Sequence, residues 1–479
     1  MHLDPDICYR ALASRDPRFD GLFFVGVATT RIYCRPICPA RTPGRDRCRF
    51  FPGAAAAERA GFRPCLRCRP ELAPGNAPVD TTGRMAKLAA LRIGAGVMND
   101  GGSLETLATE MGVSSRHLRR VLRHELGVSP VELAQSHRLL LAKQLLTETA
   151  LPIVDVAFAS GFASVRRFNA LFRSRYRLTP SDVRKTNGKE SNESIRLTLA
   201  YRPPFAWEAL LRFLAPRAVA SVEAVAGRSY LRSVKLDKYR GWLKVTPAEG
   251  RHALVVEAPI GLAGALPQLL ARLRGLFDLD ARPDVIAEHL GRDRRLRQAV
   301  AGGPGLRVPG AFDGFELAMR AILGQQVSVR AATTLAARFA QAFGEPIETP
   351  FAAVSRLSPS PARIADARLG ELTALGLVPA RAECLRGLAR AVCDNRLSLE
   401  SGADAEGGIE RLMALSGIGP WTAHYIAMRA MRWPDAFPHS DLGLRKALER
   451  RSPPEILRMA EAWRPWRAYA AMHLWNETK

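Results

Sequence analysis

The chain is 479 residues long, which exceeds the size of one ordinary core and predicts three or four domains. Hydrophobic residues make up 47% of the chain, and no apolar run is long enough to span a bilayer or to form an N-terminal signal. A wholly disordered or membrane-embedded protein is thereby excluded, and we expect a cytoplasmic protein with no membrane partner. The net charge of +24 favours nucleic acid as a partner because Lys and Arg neutralise phosphates, the alternative being a charge kept for solubility.

The N-terminal segment, residues 1–72, is rich in cysteine and arginine. Four of its cysteines form two close pairs: Cys34, Cys38, Cys65 and Cys68. Two such pairs can supply four sulfurs to one tetrahedral Zn²⁺ ion, and the spacing alone most often marks a zinc site that only holds a fold together. Cys8 and Cys48 fall outside this pattern, and we interpret them as ordinary buried or surface residues. We predict Zn²⁺ as the cofactor and no nucleotide cofactor.

The residues around these cysteines carry a more specific signal. Segments 32–38 and 61–68 resemble the N-terminal domain of the Ada family of bacterial methyl-phosphotriester sensors, and the resemblance covers nearly all of residues 1–72. It implies that the four cysteines bind zinc, that Cys34 accepts a methyl group once and irreversibly from a DNA phosphotriester, and that Arg41 contacts phosphate. Methylation would remove one negative charge from the site, which favours DNA binding.

Residues 82–184 follow a predicted linker at 70–78 and contain an internal repeat with an offset of 49 to 50 residues. Segments 104–111 and 154–160 are predicted first helices, and Ser114 and Ser164 are predicted N-caps of the second helices. The second copy should have a turn one residue longer. Each second helix combines an apolar face with arginines, which suits the DNA major groove, although a merely solvated face is the alternative. The DNA-binding candidates are Arg116, Arg119, Arg166 and Arg167.

This repeat resembles the AraC-type DNA-binding domain, which contains two helix-turn-helix motifs. The resemblance covers roughly residues 84–184. It implies sequence-specific binding of double-stranded promoter DNA and makes RNA polymerase a candidate partner. A polar stretch at 185–194 marks the next boundary.

Beyond that boundary, residues 195–280 mix helix with β-like runs at 239–245 and 252–258, and residues 281–479 are helical by periodicity. Gly417 and Gly419 lie between two helical segments. They predict a helix-hairpin-helix, in which glycines let the backbone approach a DNA phosphate and amide N–H groups hold it.

Segments 321–328, 415–423 and 437–443 resemble AlkA, the 3-methyladenine DNA glycosylase type of the helix-hairpin-helix superfamily, over about residues 195–479. The resemblance implies that Asp441 is the catalytic carboxylate, that three aromatic residues line the pocket for an alkylated base, and that Gln326 is a candidate wedge in the vacated base stack. The aromatic residues are Trp421, Tyr425 and Trp475.

Several absences narrow this prediction. Trp421 stands where lyase-competent relatives carry a Schiff-base lysine, so we expect hydrolysis without strand cleavage. No cysteine follows Cys393, which excludes the iron–sulfur loop of some relatives. The Pro-Cys-His-Arg motif of the second Ada methyltransferase is missing, which predicts no O6-methylguanine repair. We assign the other C-terminal tryptophans to the core: Trp433, Trp463 and Trp466.

The predicted fold class is therefore multidomain and mainly α with α+β parts. It comprises a small four-cysteine zinc α+β domain (1–72), an all-α double helix-turn-helix domain (82–184), an α+β glycosylase subdomain (195–280) and an all-α helix-hairpin-helix domain (281–479). The predicted function combines repair of alkylated DNA with regulation of the response. The alternative is a transcription regulator whose C-terminal part binds damaged DNA without catalysis.

Overall fold

The computed structural model of the chain describes residues 4–75, 84–99, 101–184, 194–402 and 404–477. These residues form two compact units. The first comprises Met1–Pro203, Ala248–Ala271 and Leu279–Ala281, and the second comprises Pro204–Pro247, Arg272–Asp278 and Arg282–Lys479. Among the described residues, no helix combines the length and the apolar character that crossing a bilayer would require.

The first unit begins with a small sheet flanked by short helices. Its elements are α1 (Pro5–Ala13), β1 (Phe24–Val27), β2 (Ile32–Cys34), β3 (Cys48–Phe51), α2 (Ala54–Arg59) and β4 (Arg63–Pro64). The strand order is β3-β1-β2-β4, with β1 antiparallel to both neighbours and β2 parallel to β4. Because parallel strands end at the same edge, Cys34 at the end of β2 and Cys65 just after β4 lie close together.

The described part of the next segment contains seven helices: α3 (Arg84–Gly94), α4 (Leu104–Glu110), α5 (Ser115–Leu126), α6 (Pro130–Glu148), α7 (Ile153–Ala159), α8 (Val165–Tyr176) and α9 (Pro180–Val183). The predicted N-caps are confirmed, since the hydroxyl of Ser114 accepts the amide of His117 at 3.2 Å and that of Ser164 accepts the amide of Arg167 at 3.4 Å. Residues 111–114 join α4 to α5 and residues 160–164 join α7 to α8, so the second turn is one residue longer, as predicted.

The mixed α+β segment contributes to both units. In the first unit, β5 (Ser194–Ala200) pairs antiparallel with β9 (Ala253–Pro259). In the second unit, β6 (Glu223–Ala226), β7 (Ser229–Leu236) and β8 (Tyr239–Pro247) form an antiparallel meander that follows α10 (Trp207–Leu214). Both predicted β-like runs are strands.

The remainder of the chain is helical, as the sequence predicts. Its helices are α11 (Leu266–Leu276), α12 (Pro283–Leu290), α13 (Arg297–Gly302), α14 (Gly314–Leu323), α15 (Val329–Phe343), α16 (Pro361–Ala365), α17 (Leu369–Thr373), α18 (Pro379–Cys393), α19 (Ala405–Met413), α20 (Pro420–Arg429), α21 (Leu442–Ala447), α22 (Pro453–Ala460) and α23 (Arg467–Glu477). Trp463 and Trp466 are buried, whereas Trp433 is partly exposed.

The segment expected to be a linker is packed over its first part. Pro70 is buried, and the amide of Gly75 donates to the Asp280 carboxylate at 2.9 Å. The prediction failed here because proline and glycine mark breaks in regular structure but do not report whether the chain packs. Residues 76–78 of the expected linker and 185–193 of the expected boundary lie outside the described residues.

Candidate active site, metal centre and DNA-binding helices

Four sulfur atoms meet at the edge of the N-terminal sheet. The Sγ atoms of Cys34, Cys38, Cys65 and Cys68 all lie within 4.8 Å of one another. Cys34 is partly exposed, whereas the other three are buried. Zinc–sulfur bonds of about 2.3 Å in a tetrahedron place sulfurs roughly 3.8 Å apart, and sulfur is a preferred donor for Zn²⁺. The cluster therefore fits a tetrahedral zinc ion.

Backbone amides around this cluster also donate hydrogen bonds to the sulfur atoms. The amide of Arg35 donates to Cys68 Sγ at 3.3 Å, and the amide of Arg67 donates to Cys65 Sγ at 3.4 Å. Cys8 and Cys48 pack in a separate apolar cluster with neighbours that include Phe23.

The arginines near the cysteines divide into two kinds. Arg35 is buried and paired with the Asp20 carboxylate, and Arg69 is paired with Glu71 at 3.1 Å. Arg41, by contrast, is exposed. Proximity in sequence could not separate these roles, because burial depends on the acidic partner that the fold supplies.

The two second helices of the repeat present their arginines outward. All four candidates are exposed: Arg116, Arg119, Arg166 and Arg167. On the opposite faces, Leu118 and Leu122 of α5 and Phe168 and Phe172 of α8 are fully buried. The apolar faces fix both helices, and the basic faces are available to DNA.

In the second unit, Asp441 is the N-cap of α21 and receives three N–H donors. Its Oδ1 accepts the amide of Leu444 at 3.0 Å and the indole N–H of Trp475 at 2.8 Å. Its Oδ2 accepts the indole N–H of Trp421 at 2.9 Å. The three N–H donors hold both oxygens of the carboxyl group and so fix its orientation.

The aromatic residues predicted for the pocket lie beside that carboxylate. Trp421 and Tyr425, one turn apart on α20, stack with centroids 5.2 Å apart and planes 10° from parallel. The structure thus brings Asp441, Trp421, Tyr425 and Trp475 together through direct hydrogen bonds and ring contact.

Arg429, which was not among the predicted site residues, holds the phenol of Tyr425. Its Nη1 donates to the phenol oxygen at 2.7 Å, and its other nitrogens donate to the carbonyls of Pro309 at 2.8 Å and Gly310 at 3.1 Å. Burial raises the pKa of Tyr425, but the guanidinium groups of Arg429 and Arg217 outweigh burial and leave that pKa below its usual value. The i, i+4 spacing of Tyr425 and Arg429 was the available signal.

The predicted hairpin joins α19 to α20. Gly417 has φ of +88°, which favours glycine, whereas Gly419 is the N-cap of α20 with ordinary extended backbone. Gln325, another residue that the sequence analysis missed, donates to the carbonyl of Gly417 at 2.8 Å and to the hydroxyl of Thr422 at 3.1 Å. The next residue, Gln326, is exposed and has φ of +57°.

Four family profiles match successive parts of the chain. They are the metal binding domain of Ada (7–71), a helix-turn-helix domain (107–186), the AlkA N-terminal domain (196–313) and the HhH-GPD superfamily base excision DNA repair protein (319–466). A protein of Mycobacterium tuberculosis named "Probable bifunctional transcriptional activator/DNA repair enzyme AlkA" is 40% identical, over 99% of this chain and 97% of its own length. The chain belongs to this family.

Two further matches each cover somewhat more than half of the chain. DNA-3-methyladenine glycosylase 2 of Escherichia coli is 40% identical over 58% of this chain and 96% of its own length. The solved 3-methyladenine DNA-glycosylase of Archaeoglobus fulgidus shares the fold at 22% identity and a TM-score of 0.50, covering 59% of this chain and 97% of that one. The predicted Ada, AraC-type and AlkA resemblances and the predicted fold class are confirmed.

Proposed function

We propose that this bifunctional activator and repair protein hydrolyses the N-glycosidic bond of alkylated bases of the 3-methyladenine type in double-stranded DNA. The supporting observation is the Asp441 carboxylate held by the N–H groups of Trp421 and Trp475 beside the Trp421–Tyr425 stack. Free base and an intact strand with an abasic site are the products.

The chemistry follows from charge. The alkylated base must leave the duplex to be reached, at a cost of a few kcal/mol. A base alkylated at a ring nitrogen is cationic, and the faces of Trp421, Tyr425 and Trp475 attract cations. As the glycosidic bond breaks, its electrons leave with the base, and positive charge develops on the sugar. Asp441 stabilises that charge while water adds to C1′. Trp421 carries no amine, so no Schiff base forms and the strand stays intact.

The hairpin and the loop before α15 (Val329–Phe343) are proposed to hold the distorted duplex. Backbone amides of Gly417 and Gly419 at the start of α20 bind a phosphate. Gln325 holds the hairpin through its hydrogen bond to the Gly417 carbonyl. The exposed Gln326 then enters the base stack, flanked by Val327, which is 39% exposed.

We further propose that Cys34 accepts a methyl group from a DNA phosphotriester. Bound Zn²⁺ would keep the sulfurs of Cys34, Cys38, Cys65 and Cys68 as thiolates. Cys34 is the partly exposed member of the cluster. Its sulfur attacks the methyl carbon, the S–C bond forms, the C–O bond breaks, and the phosphodiester leaves as an anion. Arg41 is exposed and lies seven residues after Cys34 in the sequence, and it contacts that phosphate.

The double helix-turn-helix domain is proposed to bring the methylated protein to promoter DNA, with RNA polymerase as its further partner. Arg116 and Arg119 of the first motif and Arg166 and Arg167 of the second face the grooves, and most of their contacts are expected to be with phosphate. The four segments 1–72, 82–184, 195–280 and 281–479 are the proposed functional domains.

Incubation of the full chain with methylated duplex DNA tests the glycosylase proposal. The expected result is free 3-methyladenine in solution and abasic sites in unbroken strands. A protein that binds the damaged duplex but releases no base would support the alternative, a regulator whose C-terminal part recognises damage without catalysis.

Gly443 supplies a prediction about the catalytic geometry. A Cβ at this position would lie 2.9 Å from Asp441 Oδ1 and 3.0 Å from Trp475 Cδ1, so the G443A variant must displace one of them. Since a misplacement of about 1 Å can lower a rate about 10²-fold, we expect the smaller shift in G443A to lower the rate of base release about tenfold. The matched control is G387A, where an added Cβ meets nothing within 4 Å. Equal rates for both variants would contradict the proposed geometry.

A second prediction concerns the DNA-binding helices. Each lost phosphate contact lowers the slope of log affinity against log salt by about 0.9. The R166A variant should therefore bind mixed-sequence duplex DNA with a shallower salt dependence than wild type. R228A is the control, because Arg228 is exposed and paired with Glu208 at 3.0 Å. An unchanged slope for R166A would exclude Arg166 as a phosphate contact.

A further inference from the structure

Within the first unit, two networks of side chains lead from the cysteine cluster to residues of the AlkA N-terminal domain. The first begins at the carbonyl of Cys65. Lys143 of α6 donates to this carbonyl at 3.0 Å and to Glu71 Oε2 at 2.6 Å. The side chains of Lys143 and Glu71 are each only 1% exposed. The other oxygen of Glu71 accepts Arg69 Nε at 3.1 Å.

Arg69 extends this network to strand β5. Its Nη2 lies 3.0 Å from Glu148 Oε1. Glu148 Oε2 in turn accepts the backbone amide of Thr198 in β5 at 2.9 Å, and Gln144 Nε2 donates to the carbonyl of Thr198 at 2.9 Å. Side chains of α6 therefore satisfy both backbone polar groups of Thr198, which would otherwise lack partners along this edge of the strand.

The second network is centred on Arg202, two residues after the end of β5 and fully buried. Its Nε donates to the carbonyl of Asp20 at 3.0 Å, its Nη1 to that of Asp280 at 2.7 Å and its Nη2 to that of Gly75 at 2.5 Å. The carboxylate of Asp20 accepts Arg35 Nε at 2.8 Å. The Arg35 amide donates to Cys68 Sγ, so this network also ends at the cysteine cluster.

We infer that the zinc domain and helix α6 form a docking surface for β5 of the AlkA N-terminal domain. Through this surface, the order of the cysteine cluster is coupled to the order of β5. Removing one partner of a buried charge leaves the other partner uncompensated. A substitution at one end of either network should therefore reduce the order of the residues at its other end. Coupling between two sites is reciprocal. This inference goes beyond the proposed activities. Of the proposed function, it rests only on the metal at the four cysteines.

Hydrogen–deuterium exchange of the full chain tests the coupling in both directions. The K143M variant cuts the first network, and we expect exchange in residues 194–200 to rise about tenfold or more. The R202M variant cuts the second network from the other end, and we expect a similar rise in residues 63–72. R196M is the matched control, because Arg196 is an exposed arginine of β5, six residues before Arg202. Exchange in residues 420–429 should stay unchanged in all three variants.

Exchange in K143M and R202M that changes only around the substituted residue, with the distant segment equal to that of R196M, would overturn the inference. Should either variant fail to fold, E71Q preserves the side-chain shape and removes the charge that faces Lys143 and Arg69. A rise at 194–200 in E71Q supports the coupling, and unchanged exchange in β5 overturns it. Zinc content is measured on the same samples. A chain without zinc contradicts the proposed metal, whereas the exchange pattern alone decides the coupling.

Discussion

Replacing Asp441 with Asn should lower the single-turnover rate of base release from methylated DNA by about 10²–10³-fold, the usual effect of removing one preorganised electrostatic partner of a transition state. The D441N side chain carries no charge to stabilise the developing cation on the sugar. Its amide nitrogen also cannot accept the indole N–H that Trp421 or Trp475 directs at the carboxylate. Both effects act on the transition state, so binding of the damaged duplex should change much less than the rate.

The fold should survive this substitution, because Asn is as good an N-cap as Asp. Asp404 provides the matched control, since it is the exposed N-cap of α19 and accepts the amide of Gly407 at 3.2 Å. The D404N variant makes the same chemical change at another helix start, and we expect it to release base at the wild-type rate. Wild-type activity in D441N would remove Asp441 from the mechanism.

The C34A variant should lose methyl uptake completely. Exposure of the zinc-loaded wild-type chain to methylated DNA is expected to add the mass of one methyl group to the N-terminal domain, measured by mass spectrometry of its peptides. In C34A the proposed nucleophile is gone, and only three of the four clustered sulfurs remain to bind metal. Removing the metal from the wild-type chain with a chelator should also abolish uptake, because the thiols then lose the ion that favours their ionised form.

C48A is the matched control for this experiment. Cys48 is buried in an apolar cluster that contains none of the four clustered cysteines, so its loss should leave both zinc content and methyl uptake unchanged. Methyl uptake by C34A equal to that of C48A would show that another residue is the acceptor and would leave the cluster with a structural role alone.

Much of the fold could be predicted because its determinants are local. Ser114 and Ser164 cap helices by bonding to amides three residues away, and the turn of residues 160–164 is longer by one residue than its counterpart. The cysteine pairs were similarly visible, because a short spacing brings together the two sulfurs of each pair. The two pairs meet because β2 is parallel to β4, which is a contact between distant residues. Asp441 was found by resemblance, since nothing in its immediate sequence distinguishes a catalytic carboxylate from an N-cap, and in the structure it is the N-cap of α21.

What could not be predicted depends on contacts between distant residues. Arg35 and Arg41 look alike in sequence, yet one is buried against Asp20 and the other is exposed. The sequence around Lys143 predicts only that this residue belongs to a helix. In the structure its ammonium group pairs with Glu71, 72 residues away. Gln325 reaches across 92 residues to Gly417. Such partners are set by tertiary packing, and a single sequence carries no local signal for them.

Asp441 is proposed to act as a fixed negative charge against a cationic sugar. Affinities for two abasic duplexes test it most directly, one with a positively charged pyrrolidine in place of the sugar and one with an uncharged tetrahydrofuran. Analogues of a transition state bind about 10²-fold or more tightly than substrates, and only the pyrrolidine carries the charge of the transition state. The wild-type chain should therefore strongly prefer the pyrrolidine duplex, and D441N should lose that preference. Equal affinities in the wild type, or a preference that D441N retains, would contradict the account.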